Sequence, residues 1–162
     1  MLSKSRVLQT IREGKSRLDI RDVIFDVEYA QKPKGAGKRA EIIIHSERRA
    51  RIVLYPDATL FSVRHELCHM KLFKMGIPLT NTSRDLKLFP KEEDYLRMVL
   101  IVEWYINELQ RRVFHEYYAV DEAGTPRPPP LNGLPKLPEG NFAQGQVKLL
   151  AETAKKAGSA IY

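Results

Sequence analysis

Five residues, His65-Glu66-Leu67-Cys68-His69, constrain this chain more than any other stretch, because their chemistry is coherent only on a helix. Histidines at i and i+4 lie one above the other on a single helix face, about one turn apart. At that separation both ring nitrogens can reach one metal ion at roughly 2.0–2.1 Å. Glu66, beside the first histidine, is angled toward a water on such an ion rather than toward the ion itself. The chain has only 4 histidines in 162 residues, and half of them fall in this window, so the pattern reads as a site. The remaining sequence must then supply a wall for that helix and a further ligand.

Residues 3–13 carry Val7, Leu8 and Ile11 at helical spacing, and Gly14 follows as a stop signal. Residues 18–29 include Ile20, then Val23, Phe25 and Val27 in alternation, the pattern of a half-buried strand. From Lys32 to Arg39 the chain has Pro33, Gly35 and Gly37 and reads as a loop; Gly35-Ala36-Gly37-Lys38 lacks the full phosphate-loop pattern. Residues 41–46 and 51–55 form two strands rich in β-branched residues around a turn containing Arg48, Arg49 and Arg51. Asp57 or Thr59 can cap a helix that runs to about Lys74 and is stopped by Gly76 and Pro78. On that helix Leu60, Val63, Leu67 and Met70 make a core stripe, bordered by Phe61, His65, His69 and Leu72. Residues 91–118 form the longest periodic segment, with Leu96, Val99, Leu100, Val102, Trp104, Ile106, Leu109 and Val113 predicting a largely buried helix.

The order of these elements predicts an α+β fold. A small three-stranded, mainly antiparallel sheet packs on an N-terminal helix, the helix bearing the histidine pair and the long helix. Apolar residues make up 43% of the chain, enough for one ordinary core. From Gly124 the composition turns to proline, which divides the chain into a folded part, 1–122, and a Pro-rich tail, 123–162, with a weak helix over 146–157. Cys68 is the only cysteine, which excludes an internal disulfide, and its place on the helix predicts a small buried hydrophobe. Neither a signal-like segment nor an apolar run of roughly 18 residues is present, so a cytoplasmic protein with no membrane partner is expected. The net charge of +7 is compatible with nucleic acid, anionic lipid or acidic proteins and identifies none of them.

A catalytic zinc usually takes three protein ligands and keeps a fourth position for water. A third histidine six residues after His69 would fall at position 75, which is Met75, and Leu72 stands where the longer zinc-binding signature has glycine. His45 and His115 read as ordinary polar residues at the end of a strand and of the long helix. Glu103 is the better candidate, a carboxylate in mid-helix among Val99, Leu100, Ile101, Val102 and Trp104. Such a charge needs an explanation, because an unpaired buried carboxylate is costly. One turn later comes Asn107, whose side-chain carbonyl can accept the second ring N–H of a ligating histidine. Glu108 is an alternative for either role, offset by about 100° from Asn107.

His65-Glu66-x-x-His69, followed at a distance by a helix-borne Glu103 and Asn107, resembles the gluzincin metallopeptidases. The short chain, with a small sheet leading into the zinc helix, is most similar to their minimal archaeal members, the minigluzincins. The resemblance covers roughly residues 1–120 and leaves the Pro-rich tail unexplained. It implies a zinc-dependent peptidase with His65, His69 and Glu103 as ligands, Glu66 as general base, Asn107 in support, and a peptide or protein as substrate. Tyr105, Tyr117, Tyr118 and His115 all remain open as the group that polarises the substrate carbonyl. The tail is compatible with a latent enzyme whose cleft it fills, or with a free extension. Two rivals stand beside this expectation: a nucleic-acid-associated zinc protease of the SprT-like kind, suggested by Arg48, Arg49 and Arg51, and a catalytically inactive zinc-stabilised binding protein.

Overall fold

The computed structural model describes residues 1–35, 37–116, 129 and 131–156. Helix α1 spans Lys4–Arg17 and starts at Ser3, whose hydroxyl accepts a hydrogen bond from the Arg6 backbone N–H at 3.4 Å. Val7, Thr10, Ile11 and Gly14 are its buried positions, spaced i, i+3, i+4 and i+7. Gly14 is therefore an interior residue on the core face and not the expected stop. The helix ends one turn later, where Asp19 adopts a left-handed φ of 54° and Ile20 N–H bonds to the Lys15 carbonyl at 2.9 Å.

Three strands follow: β1 (Ile24–Tyr29), β2 (Ala40–Ser46) and β3 (Arg49–Leu54), in the order β1-β3-β2. β2 and β3 form the expected hairpin, antiparallel, with Ile42 opposite Ile52, Ile44 opposite Ala50, and a register shift between Ile44 and Ser46. Ile42, Ile44, Ala50, Ile52 and Leu54 are all buried, as period-two alternation requires. β1 joins the other side of β3 in parallel, so the α+β sheet is mixed rather than mainly antiparallel. The short β2–β3 link forces antiparallel pairing, whereas the ten residues between β1 and β2 leave the direction of β1 free.

Charge accompanies that choice. Asp26 pairs with Arg49 at 3.1 Å and Glu28 with Arg51 at 3.5 Å, and Asp22 meets Arg48 at 4.0 Å. The arginine group was expected at a turn. Two of its members instead lie in β3 on the exposed side, where acids on and beside β1 face them.

Helix α2 (Leu60–Lys74) follows β3, and then α3 (Ser83–Leu88), α4 (Glu92–Phe114) and α5 (Gln144–Lys156). The chain divides into two compact units, Met1–Phe73 with Thr80–Thr82, and Lys74–Leu79 with Ser83–Tyr162. In the second, α4 carries Glu92, Glu93 and Asp94 in its first turn and Arg111 and Arg112 in its last, matching the helix dipole. His115, left-handed at φ 55°, ends it, with its N–H bonded to the Arg111 carbonyl. The helix stops short of the expected residue 118, and Tyr117 and Tyr118 lie outside the described residues. Met98, Ile101, Val102, Tyr105, Ile106 and Leu109 are buried, in keeping with a largely buried helix, whereas Leu96 and Leu100, counted among its apolar positions, are exposed.

Tail residues within 131–156 pack on α4. Tyr105 Oη donates to the Pro135 carbonyl at 2.5 Å, and Arg112 donates to the carbonyls of Leu137 and Pro138 at 3.0 and 3.1 Å. The Phe142 ring meets Tyr105 edge-on, with centroids 5.3 Å apart, and its N–H bonds to the Met75 carbonyl at 2.8 Å. α5 then buries Leu150 and Ala154 in contact with α4, so the weak helix is present and begins two residues earlier than expected. Among the described residues no helix is long and apolar enough to cross a membrane.

Candidate metal centre

The histidine helix is set by its first turn. Ser62 N–H donates to Thr59 Oγ1 at 3.3 Å while Thr59 N–H donates to Ser62 Oγ at 3.2 Å, a reciprocal cap in which serine takes the usual glutamate's place. Asp57, the other expected cap, instead faces Arg39 at 3.8 Å. With the start fixed at Leu60, the 3.6-residue period buries Val63, Leu67, Cys68 and Met70 completely. It leaves His65 and His69 half-buried beside them. Their rings lie 5.2 Å apart, edge to face at 71°, and Phe61 stacks on His65 at 6.5 Å. Cys68 is fully buried, as its position predicts.

Glu66 is only 7% exposed, a carboxylate held at the boundary of the apolar stripe. His65, His69 and Glu103 form a group that can hold a metal ion: one ligand atom from each lies within 4.8 Å of the others. Two imidazole nitrogens and a carboxylate oxygen suit zinc and other borderline divalent cations. Glu103 is half-buried rather than fully enclosed.

Asn107 is one turn further along α4, and its side-chain oxygen is buried without a hydrogen-bond partner. A buried acceptor left unsatisfied costs about 1–3 kcal/mol. An acceptor waiting beside the ligand carboxylate is what a metal-ligating histidine, whose second ring nitrogen must donate, would require. Unsatisfied in this structure, the Asn107 oxygen is available to such a donor.

The alternatives sort by geometry. Glu108, the other candidate for ligand or support, is tied to Arg111 at 3.0 Å. His45 and His115 are exposed and belong to no metal-binding group found among the described residues. Tyr105 spends its hydroxyl on the Pro135 carbonyl, and burial pushes its pKa up to about 12, so it is a structural anchor and not a carbonyl-polarising group. Tyr105 and Arg112 project about 160–180° around α4 from Glu103. The tail residues they hold run along the side of the helix turned away from that carboxylate. Residues 117–128, which a cleft-filling tail would also involve, lie outside the described residues.

One cluster escaped the sequence altogether. Glu41 of β2, buried at its carboxylate, accepts from Lys34 Nζ at 2.7 and 2.9 Å, Lys38 Nζ at 2.8 Å and Tyr55 Oη at 2.6 Å. Burial alone would raise its pKa, but the hydrogen bonds from Lys34, Lys38 and Tyr55 outweigh it and hold the carboxyl at about 2. The cluster ties the 32–39 loop to the sheet. A lone glutamate heading an isoleucine run was the available signal.

Compared with known protein families, with curated proteins and with solved structures, the chain finds no match in any of the three.

Proposed function

We propose that this protein is a zinc-dependent metallopeptidase of the gluzincin kind. The observation that carries the proposal is the convergence of His65, His69 and Glu103 ligand atoms within 4.8 Å, beside the orphaned Asn107 oxygen. Zinc held by three protein ligands keeps one position for water, lowers that water's pKa to about 7 and polarises a substrate carbonyl.

The chain's own residues supply the rest. Glu66, one position after His65 and restrained by burial, takes the proton of the attacking water and returns it to the leaving amine. This general acid–base role is worth roughly 10²–10⁴-fold in rate. Asn107 accepts an imidazole N–H and fixes which ring nitrogen faces the ion.

Closed structural zinc sites use four protein ligands. Among the described residues the group has three members, and the buried Cys68 is not one of them, which favours a site left open for catalysis. The nucleic-acid alternative drew on Arg48, Arg49 and Arg51, and these face Asp22, Asp26 and Glu28.

The test compares parent and Glu66→Gln, both zinc-loaded, on a mixed peptide library with new termini read by mass spectrometry. Cleavage by the parent, lost in the variant at unchanged zinc content, is expected. Equal cleavage by both proteins would overturn the mechanism.

A further inference from the structure

Charge is divided unevenly between the two compact units. The unit of Met1–Phe73 with Thr80–Thr82 holds 15 Lys and Arg against 9 Asp and Glu, and the other holds 12 against 11. Within the first unit the sheet and its loops are largely neutralised from within. Asp22, Asp26 and Glu28 meet Arg48, Arg49 and Arg51, Glu41 takes Lys34 and Lys38, and Asp57 faces Arg39. Helix α1 is different. It carries Lys4, Arg6, Arg12, Lys15 and Arg17 against Glu13 alone, and Glu13 accepts from the Gln9 amide at 2.9 Å. Among the described residues Lys4, Arg6, Arg12 and Lys15 belong to no ion pair. Lys4 and Arg6 also stand in a first turn that holds no acid, where the helix dipole disfavours cations. The stability of the helix does not account for this pattern; an anionic partner does.

What the helix lacks decides which anion. A lipid surface takes up the apolar side of an amphipathic helix, but here Val7 and Ile11 are turned into the core, at 0% and 6% exposure. Single-stranded nucleic acid is held by stacking bases on aromatic rings, and α1 has none. Cations along a helix without either feature suit the phosphates of a duplex. At 100° per residue, Lys4, Arg12 and Lys15 fall within about 80° of arc and span about 16.5 Å of the axis. Lys4 and Arg12 are exposed and Lys15 is half-buried. Lys4 and Arg12 are about 12 Å apart along the axis, close to the width of the major groove.

We infer that α1 is a docking face for double-stranded DNA, with Lys4 on one phosphate row and Arg12 and Lys15 on the row across the groove. Contacts to phosphates carry no sequence information, so binding is independent of base sequence. The inference rests on charge and geometry within one unit and does not require the peptidase proposal.

The test titrates a short fluorescein-labelled duplex with the full-length protein and reads anisotropy between 50 and 200 mM salt. Three phosphate contacts give a log–log salt slope of about −2.7, an affinity about 40-fold weaker at 200 mM than at 50 mM. Lys4→Gln/Arg12→Gln/Lys15→Gln should bind at least about 10-fold more weakly at 50 mM, with its circular dichroism unchanged. Lys4→Arg/Lys15→Arg should bind like the parent. The charge-matched control Lys32→Gln/Lys87→Gln/Lys91→Gln, which alters three exposed lysines outside α1, should stay within about threefold of the parent. No binding by the parent overturns the inference, and so do equal losses in the two triple variants, which would make binding a matter of net charge. A parent that prefers the single strand overturns it as well. So does one that binds phosphatidylserine vesicles through the same three residues while leaving the duplex free.

Discussion

Replacing Glu41 by Gln removes one charge at an almost fully enclosed position and keeps the side chain's shape, so its effect can be worked out in advance. The carboxyl is held at about 2 against an ordinary 4.5. At 1.36 kcal/mol per pKa unit, this amounts to about 3 kcal/mol of native stability at neutral pH. The two lysine heads that supply most of it are half-exposed, and solvent screening reduces the figure to about 2 kcal/mol. The sign follows from a folded pKa below the unfolded one: the contribution is fully present above about pH 4.5 and is lost as pH falls toward 2. Urea unfolding of parent and Glu41→Gln, followed by circular dichroism in the same chelator-containing buffer, should show a gap of about 2 kcal/mol from pH 8 down to pH 5. The gap should shrink steadily between pH 4.5 and pH 3. A variant as stable as the parent at pH 7, or a gap that does not change with pH, would refute the assignment of the cluster as a stabilising ion network.

The other predictions concern the site and its frame. Asn107→Leu should leave the fold intact and weaken zinc affinity about 10–100-fold, read by competition with a chromogenic chelator, because a ligating histidine loses its acceptor; an unchanged affinity removes Asn107 from the site. Gly76→Ala should cost about 1–3 kcal/mol in thermal unfolding, since Gly76 sits at φ +113° and no L side chain adopts that backbone without strain; a neutral result would contradict the turn. Truncation after Glu122 removes the buried Leu137, Phe142, Leu150 and Ala154, so it should lower the unfolding temperature and not raise peptidase activity. Activity rising in a stable truncated protein would show that the tail restrains the enzyme.

What could be read from the chain depended on whether the deciding force was local. The β2–β3 hairpin was legible because two runs rich in β-branched residues, Ile42-Ile43-Ile44 and Ile52-Val53-Leu54, flank a short polar, arginine-rich stretch. α2 was legible because its cap, its apolar stripe and its stop at Gly76 all lie within twenty residues. The direction of β1 was not, since Val23, Phe25 and Val27 alternate identically in parallel and antiparallel ladders; its partner strand, with Arg49 and Arg51 opposite Asp26 and Glu28, lies more than twenty residues away. Gly14 misled because a glycine on a core-facing helix position looks in sequence like a glycine beyond a helix end. Leu96 and Leu100 misled in the opposite way, as apolar periodicity does not say which leucines the fold leaves in water. For the metal group, the histidine pair was explicit in a five-residue window. Glu103 was readable only because a charge amid valines and isoleucines demands a partner. Tyr105, an open candidate for catalysis in sequence, was removed by its hydrogen bond to Pro135, a contact thirty residues distant.

The proposed activity requires that His65, His69 and Glu103 bind one ion together. Mass-spectrometric metal analysis of the purified parent and of Glu103→Ala, each dialysed against the same zinc buffer, measures this directly. One equivalent of zinc on the parent and a small fraction of that on the variant is the predicted result. A parent without zinc, or a variant that retains a full equivalent, would contradict it.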